Sequence, residues 1–399
     1  MKKIGLSLLA TILALTSASA QLNAIQVSSK NVKEGRTDIV IPQVKGYNVY
    51  KADFHTHSIY SDGEMTPAQR VVEAWEDGLD IVAITDHIEY RPGENEILRY
   101  MGGYIRPEFR GGDKAVNVDI VDSAPDSRGI ISDLNVGGNM AVQEGKKYGI
   151  MVVKGAEITR GKLGSYNALF TKDNNAIYDT NLETAIRNAR SQDALIVCNA
   201  PRRADNEDVA MSTYSKPLLD KGLVDAIEVA NLQKSYPALF PLCFDGRCAP
   251  IAASNIHKLI DIEYPNSGKE YFRNMTLVLA ERCDEASIKE ALRNRRTIAY
   301  FANMLVGSEE LITELFKASI EVEYLGADWR DKRIKVTNKS SLPLAISWGK
   351  GREKALSGLG SIIFTVSRKN EKVNIKAVNM LYGENKSPAI SFELKKQKK

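Results

Sequence analysis

The chain has four histidines, and each stands beside a carboxylate or an amide, in Asp53-Phe54-His55-Thr56-His57, Asp86-His87 and Asn255-Ile256-His257. Imidazole nitrogens and carboxylate oxygens are the donors that divalent metals take at about 2.0–2.2 Å. His55 and His57 are two residues apart, so on a strand both project from one face and can grip one ion. Asn255 and His257 repeat that spacing. Asp62 follows in Ser61-Asp62-Gly63, Asp86 and His87 close an apolar run, and Glu157 ends the run through Val153. One such histidine alone reads as a satisfied core or surface residue. Six ligand types at successive strand ends read instead as a metal centre assembled at one rim.

Those ligands need elements to carry them. From Val49 onward, short apolar runs alternate with segments of helical period, the pattern of strand and helix units around a parallel sheet. The pattern predicts strands over 52–55, 80–85, 150–157, 166–170, 194–199, 226–229, 251–254, 276–280 and 297–301. Several are apolar throughout, as strands buried on both faces should be. One helix is well punctuated, with Thr66 as N-cap, Pro67 first, Val71, Val72 and Trp75 on one stripe and Gly78 at its end. Others are expected near 182–190 and 285–293. Residues 90–136 are rich in Gly, Asp, Arg and Pro and read as a long insertion. After a helix ending near Phe316, the runs 319–324, 332–337, 344–348, 361–366, 372–378 and 389–394 fit a small antiparallel sandwich. The expected division is a lead-in over 21–48, an α/β domain over 49–310 and an all-β domain over 318–399.

Residues 1–20 read as an export signal: Lys2 and Lys3, an apolar run over 4–15, then Ala18-Ser19-Ala20 as the cleavage site. The run is short for an uncleaved anchor, no cysteine follows the site to accept a lipid, and no later stretch is long and apolar enough to span a bilayer. The expected product is periplasmic or secreted. Net charge is +4, but Lys2, Lys3, Lys395, Lys396, Lys398 and Lys399 lie at the two ends, and without these six the rest stands at −2. That excludes a basic nucleic-acid groove. A composition 43% hydrophobic and 26% charged excludes disorder and collagen-like repeats. Four cysteines are too few for a disulfide scaffold. Cys198 reads as a core hydrophobe, and Cys243 and Cys248 flank a turn that an oxidising compartment could close by a disulfide, which spacing alone does not establish.

Three stretches together carry a family resemblance: His55-Thr56-His57-Ser58 with Ser61-Asp62-Gly63, then Ile84-Thr85-Asp86-His87, then Gly155-Ala156-Glu157-Ile158-Thr159. They resemble the successive motifs of the PHP (polymerase and histidinol phosphatase) metal-dependent phosphoesterases, from Val49 to about Glu310. Export and a C-terminal β domain are most similar to the secreted antimony-type phosphodiesterase branch. The resemblance implies a distorted (β/α)7 barrel, followed here by a small immunoglobulin-like sandwich, with up to three metals at the C-terminal rim. His55, His57 and Glu157, with Asn255, would hold a first metal. Asp62, His87 and His257 would hold a third. Glu157 would bridge to a second, and Asp86 would stand behind the ligands.

The chain departs from that pattern at three places. Gly164-Ser165-Tyr166-Asn167-Ala168-Leu169-Phe170 stands where the family has Gly-His-x-Asn-Ala-Leu-Phe, Asn199-Ala200-Pro201 where it has Asn-His-Pro, and Ser254-Asn255-Ile256-His257 where it has Ser-Asp-x-His. Ser165 and Ala200 remove both exclusive ligands of the second metal, and neutral Asn255 offers only a carbonyl oxygen. One or two ions of Zn, Mn or Fe are expected rather than three.

Two functions stay open. One is a hydrolase that acts on a small phosphodiester or phosphomonoester through metal-activated water. The other is a catalytically impaired relative that binds a phosphorylated or glycan ligand. Retention of six ligand types leans towards the enzyme. Arg160, Arg202, Arg203 and Lys258 are candidates for a substrate anion, each equally explained as solvated surface charge, and Arg91 and Arg110 are weaker ones. Trp329, Trp348 and Tyr382 could serve a carbohydrate module but are equally explicable as core, so the C-terminal domain is read as structural support. The sequence sets no oligomeric state.

Overall fold

The computed structural model describes residues 32–33, 35–106, 130–199, 215–265, 267, 271–349 and 353–394. The expected export signal, residues 107–129 with Arg110, the stretch holding Ala200, Arg202 and Arg203, and the terminal lysines lie outside these residues.

Strands β1 (Asn48–Asp53), β2 (Ile81–Ile84), β3 (Met151–Thr159), β4 (Ser165–Leu169), β5 (Leu195–Cys198), β6 (Ala226–Asn231) and β7 (Ala249–Ala253) stand in the spatial order β7-β6-β5-β4-β3-β2-β1. The sheet continues past β1 through β8 (Met275–Ala280), β9 (Thr297–Phe301) and β10 (Met304–Gly307). Every residue of β2, β4, β5, β6 and β7 is buried, which accounts for their largely apolar character, with Ser165, Asn167, Glu228 and Asn231 as buried polar exceptions. The sequence pattern predicts a parallel sheet, but β8 runs antiparallel to both β1 and β9, and β4 runs antiparallel to both β3 and β5. Parallel neighbours need a crossover of a dozen residues or so. The link 160–164 is too short for one, and the chain turns straight back. The sheet curls into a half-barrel whose flanks meet beyond the strand ends. There Asn255 N donates to His55 O at 2.9 Å and His57 N donates to Ile256 O at 3.0 Å.

Helices α1 (Pro67–Glu76), α2 (Val136–Tyr148), α3 (Leu182–Ser191) and α4 (Glu285–Arg293) link successive strands. Thr66 caps α1 by accepting from Gln69 N at 3.1 Å, with Pro67 at the first position. The inward face of α1 is Pro67, Arg70, Val71 and Ala74, at i, i+3, i+4 and i+7, rather than the Val71-Val72-Trp75 stripe. A charged residue thus occupies a core-facing position, where Glu73 pairs with it at 2.8 Å. Among the described residues no helix is long and apolar enough to cross a membrane.

Helix α5 (Glu309–Ser319) leads into an all-β part: β11 (Ile320–Ala327), β12 (Asp331–Asn338), β13 (Leu344–Ser347), β14 (Glu353–Leu356), β15 (Ser361–Ser367), β16 (Lys372–Ala377), β17 (Met380–Leu381) and β18 (Ala389–Glu393). Two antiparallel sheets form, β11-β12-β15 and β14-β13-β16-β18. β17 instead pairs in parallel with β10 and joins the large sheet. β14 and β17 escape sequence reading because one exposes three of its four residues and the other is too short for a period. Ile312 and Phe316 of α5 share one apolar cluster with Leu277 and Tyr300 on one side and Ile334, Ile346 and Met380 on the other. Trp348 stacks on Phe364 at 4.0 Å, a packing role, while Trp329 is exposed. Cys198, Cys243 and Cys248 are buried free thiols, so no disulfide closes the 243–248 turn.

Below the rim, buried Arg273 donates to Asp53 Oδ2 at 2.6 Å, to Ser254 Oγ at 3.0 Å and to Asp77 Oδ2 at 3.2 Å. It joins the ends of β1, β7 and α1. Removing one partner of a buried pair leaves an uncompensated charge, at a cost of about 3–5 kcal/mol. Arg273→Leu is therefore expected to lose about that much stability in urea unfolding, and a loss below about 1 kcal/mol would remove the network from the account of the fold.

Candidate metal centre

Backbone pinning turns His55 and His57 to one side. Between them, Thr56 N donates to Thr85 Oγ1 at 3.2 Å and Thr56 Oγ1 donates to Ala83 O, so Thr56 faces β2 and its two neighbours face away from it. The loop after His57 is folded back by Asp86, which accepts from Ser58 N at 2.7 Å, Ser58 Oγ at 2.6 Å and Ser61 Oγ at 2.7 Å. This brings Asp62 under the imidazoles. A Cβ at Gly63 would stand 2.6 Å from the carbonyl carbon of His57, so glycine is required by the close approach. His87 pairs with Glu157 in a short parallel bridge, and His257 follows β7 with its N–H donated to Glu263 Oε2 at 2.8 Å.

The side chains gather into two groups that share His57: His55, His57 and Glu157, and His57, Asp62, His87 and His257. In the first, His55 Nε2 is 2.9 Å from His57 Nε2 and 3.0 Å from Glu157 Oε2, which lies 3.2 Å from His57 Nε2. In the second, Asp62 Oδ1 stands 3.4 Å from His57 Nδ1, 3.6 Å from His87 Nε2 and 3.4 Å from His257 Nε2. That oxygen is buried with no hydrogen-bond partner, though three imidazole nitrogens surround it. Donors about 2.1 Å from a common ion are about 3.0–3.4 Å apart in octahedral or tetrahedral arrangement, so both groups fit a divalent cation. A neutral imidazole has one lone pair. If His57 Nε2 serves the first group, its Nδ1–H is left to donate to Ser61 Oγ at 3.3 Å, and Asp62, His87 and His257 remain for the second.

The electrostatics follow from burial among unlike charges. Burial alone would lower His55, but the Glu228 and Glu157 carboxylates outweigh it and raise its pKa to about 10. Burial lowers His57 to about 3, with His87 and His257 adding to the effect. Against burial, the contacts with His257 and His87 hold Asp62 well below the usual carboxylate range. Glu157 is held low by His87 and His55, again against burial. Asp86 and Glu89 move the other way, raised by burial.

Several supporting residues were not evident from motif spacing. Arg70 donates to the carbonyls of His57 at 2.7 Å and Lys258 at 2.6 Å, and also to that of His257. Glu228 Oε1 lies 2.7 Å from His55 Nδ1, and Thr159 Oγ1 lies 2.7 Å from His87 Nδ1. The signals were present: a charged residue on a core-facing helix stripe, and a carboxylate inside the apolar strand Ala226-Ile227-Glu228-Val229.

Other candidates are placed as follows. Asn255 adopts φ 49°, its backbone N–H is bonded to His55 O, and its buried Oδ1 has no hydrogen-bond partner. Ser165 is buried at the start of β4 opposite Thr159. Arg160 is buried in an ion pair with Glu89 and donates to the carbonyls of Thr159 and Asp179, so its charge is committed away from the two groups. Lys258 is half exposed, 3.9 Å from Glu64, and Arg91 is buried against Glu94 at 2.9 Å.

Residues 53–219 match the PHP domain. The chain is similar to a crystal structure from Bacteroides vulgatus, described as a two-domain protein containing a predicted PHP-like metal-dependent phosphoesterase. The two are 28% identical with a TM-score of 0.76, over 90% of this chain and 99% of that one. A candidate metal-dependent phosphoesterase from Bifidobacterium adolescentis is 13% identical with a TM-score of 0.38, over 61% of this chain and 96% of that one. An amidohydrolase from Chromobacterium violaceum with bound sulfate and no metal is 14% identical with a TM-score of 0.35, over 52% of this chain and 87% of that one. Nothing below rests on the last two. No curated protein matches. The domain match and the Bacteroides structure support a hydrolase, and with the two ligand groups they support divalent metal binding.

Arg70→Lys would keep one positive charge but lose the fork that reaches several carbonyls. Outer partners of metal ligands are typically worth about 10- to 100-fold in affinity. The variant is expected to bind Zn or Mn at least about tenfold more weakly in chelator competition, with an unchanged circular dichroism spectrum. Parental affinity would show that Arg70 does not set the spacing of the ligands.

Proposed function

We propose that the protein is an exported phosphoester hydrolase of the PHP type, acting on a small phosphodiester or phosphomonoester with one or two ions of Zn, Mn or Fe. The observation that carries it is the pair of ligand groups sharing His57 at one rim of the half-barrel. His55, His57 and Glu157, with the carbonyl of Asn255, would hold one ion. Asp62, His87 and His257 would hold the other. When bound, the cations supply Lewis-acid polarisation of phosphoryl oxygens and lower the pKa of water. The chain's own residues prepare the rest. Glu228 and Thr159 orient His55 and His87, Asp86 folds the Asp62 loop into place, and Arg70 holds the backbone on both sides.

The second-metal site of the family is read as degenerate. All four histidines of the chain already belong to the two groups, which leaves no imidazole to stand in for Ser165 or Ala200. Export rests on the character of residues 1–20, and the antimony-type branch on export together with the all-β part. The boundaries 49–310 and 318–399 and an immunoglobulin-like topology for the latter complete this reading. Substitution of Ser165 and Asn255 favours one alternative, a catalytically impaired protein that binds a phosphorylated or glycan ligand.

Purified protein is expected to carry Zn, Mn or Fe and to cleave nitrophenyl phosphodiesters or monoesters. Chelation should abolish the activity and metal should restore it. Polarisation by a bound cation supplies several kcal/mol, so His55→Ala or His257→Ala should cost about 100-fold or more in kcat/KM. Metal-loaded protein no faster than His55→Ala would remove the hydrolase. A large gain in Ser165→His/Ala200→His/Asn255→Asp over an inactive parent would then establish lapsed catalysis.

A further inference from the structure

We infer that Glu228, within β6, is a positioning residue that sets the donor atoms of two ligands at once; the inference rests on the metal-centre reading above. Glu228 is 0% exposed. Its Oε1 lies 2.7 Å from His55 Nδ1, and its Oε2 accepts from Asn231 Nδ2 at 2.6 Å. Asn231 Oδ1 in turn accepts from Asn255 Nδ2 at 3.1 Å.

A carboxylate offers only lone pairs, so each link has a forced direction. In its neutral, ligating form His55 turns its Nδ1–H to Glu228, which leaves the Nε2 lone pair among His57 Nε2 and Glu157 Oε2, at 2.9 and 3.0 Å. Asn231 turns its amide NH2 to Glu228 and hence its carbonyl to Asn255. Asn255 must meet that carbonyl with its own NH2, and its Oδ1 is left buried without a hydrogen-bond partner. This is the residue whose backbone N–H is bonded to His55 O. One carboxylate thereby decides which nitrogen of His55 and which amide atom of Asn255 is left outside the chain of hydrogen bonds. The relay also gives a physical sense to the neutral residue at 255. A carboxylate there would face the Asn231 carbonyl, acceptor against acceptor. The negative charge stands instead behind His55, where a carboxylate partner makes a ligating imidazole more basic.

The test is metal affinity, measured on the full chain by competition of Zn and Mn with a chromophoric chelator. Glu228→Gln can still accept from His55 only by turning its NH2 to Asn231, which reverses Asn231 and Asn255 and puts an N–H where Oδ1 stood. Its dissociation constants are expected to rise about 10- to 100-fold with the fold unchanged by circular dichroism. In Glu228→Gln/Asn231→Asp the aspartate accepts from both neighbours, the original directions return, and most of the lost affinity should return with them. Parental affinity in Glu228→Gln, or no recovery in the double variant, overturns the relay while leaving the metal centre standing. If Glu228→Gln does not fold, Asn231→Leu decides: it keeps Glu228 on His55 but frees Asn255, and is expected to bind several-fold more weakly, with parental affinity again overturning the relay. A parent chain that binds neither metal overturns the centre and the relay together.

Discussion

Three backbone carbonyls, those of His57, His257 and Lys258, converge on the single buried guanidinium of Arg70. His57 follows the first strand and His257 the seventh, so the guanidinium ties together two strand ends that the sheet order keeps apart. Carbonyls gathered this closely would repel one another and stand desolvated without a donor between them. Arg70 supplies several N–H groups in a fixed fork, and Glu73 balances its charge at 2.8 Å. The helix that carries Arg70 gives up part of its apolar stripe for this. The rim gains a fixed separation between two ligand-bearing segments.

A second layer of polar contacts repeats the logic for each ligand. Asp86 holds the Asp62 loop through Ser58 and Ser61, Glu263 holds the His257 N–H, and Glu228 and Thr159 hold the far nitrogens of His55 and His87. Buried polar groups of this kind are costly unless each finds a partner. Most of them do, yet Asp62 Oδ1 and Asn255 Oδ1 remain unbonded. The first of these oxygens stands among the imidazole nitrogens of His57, His87 and His257. The apolar mass that anchors this arrangement is continuous with the all-β part through Ile312 and Phe316, so the C-terminal sheets brace the flank of the large sheet opposite β7.

Much of this was legible in the residue order. The i, i+2 spacing of His55 and His57, the position of the other ligands at strand ends, the capped helix after Thr66 and the runs that became β1 to β9 all follow from local rules of periodicity and capping. The antiparallel course of β4 was missed because its apolar run reads the same in either direction, and only the short link 160–164 decides it. Arg160 looked available for a substrate anion because sequence shows it three residues after Glu157. It does not show Glu89, 71 residues earlier in the chain, reaching the same guanidinium.

Sequence by itself determined the kinds of donor and their attachment to strand ends, since these depend on residue identity and on repeats a few residues long. Tertiary structure alone decided that His57 is shared by both groups and that Arg70 and Glu228 support them. These are contacts between segments separated by tens to hundreds of residues. Whether such segments meet depends on how the whole sheet curls, a property of the packed core that no local pattern contains.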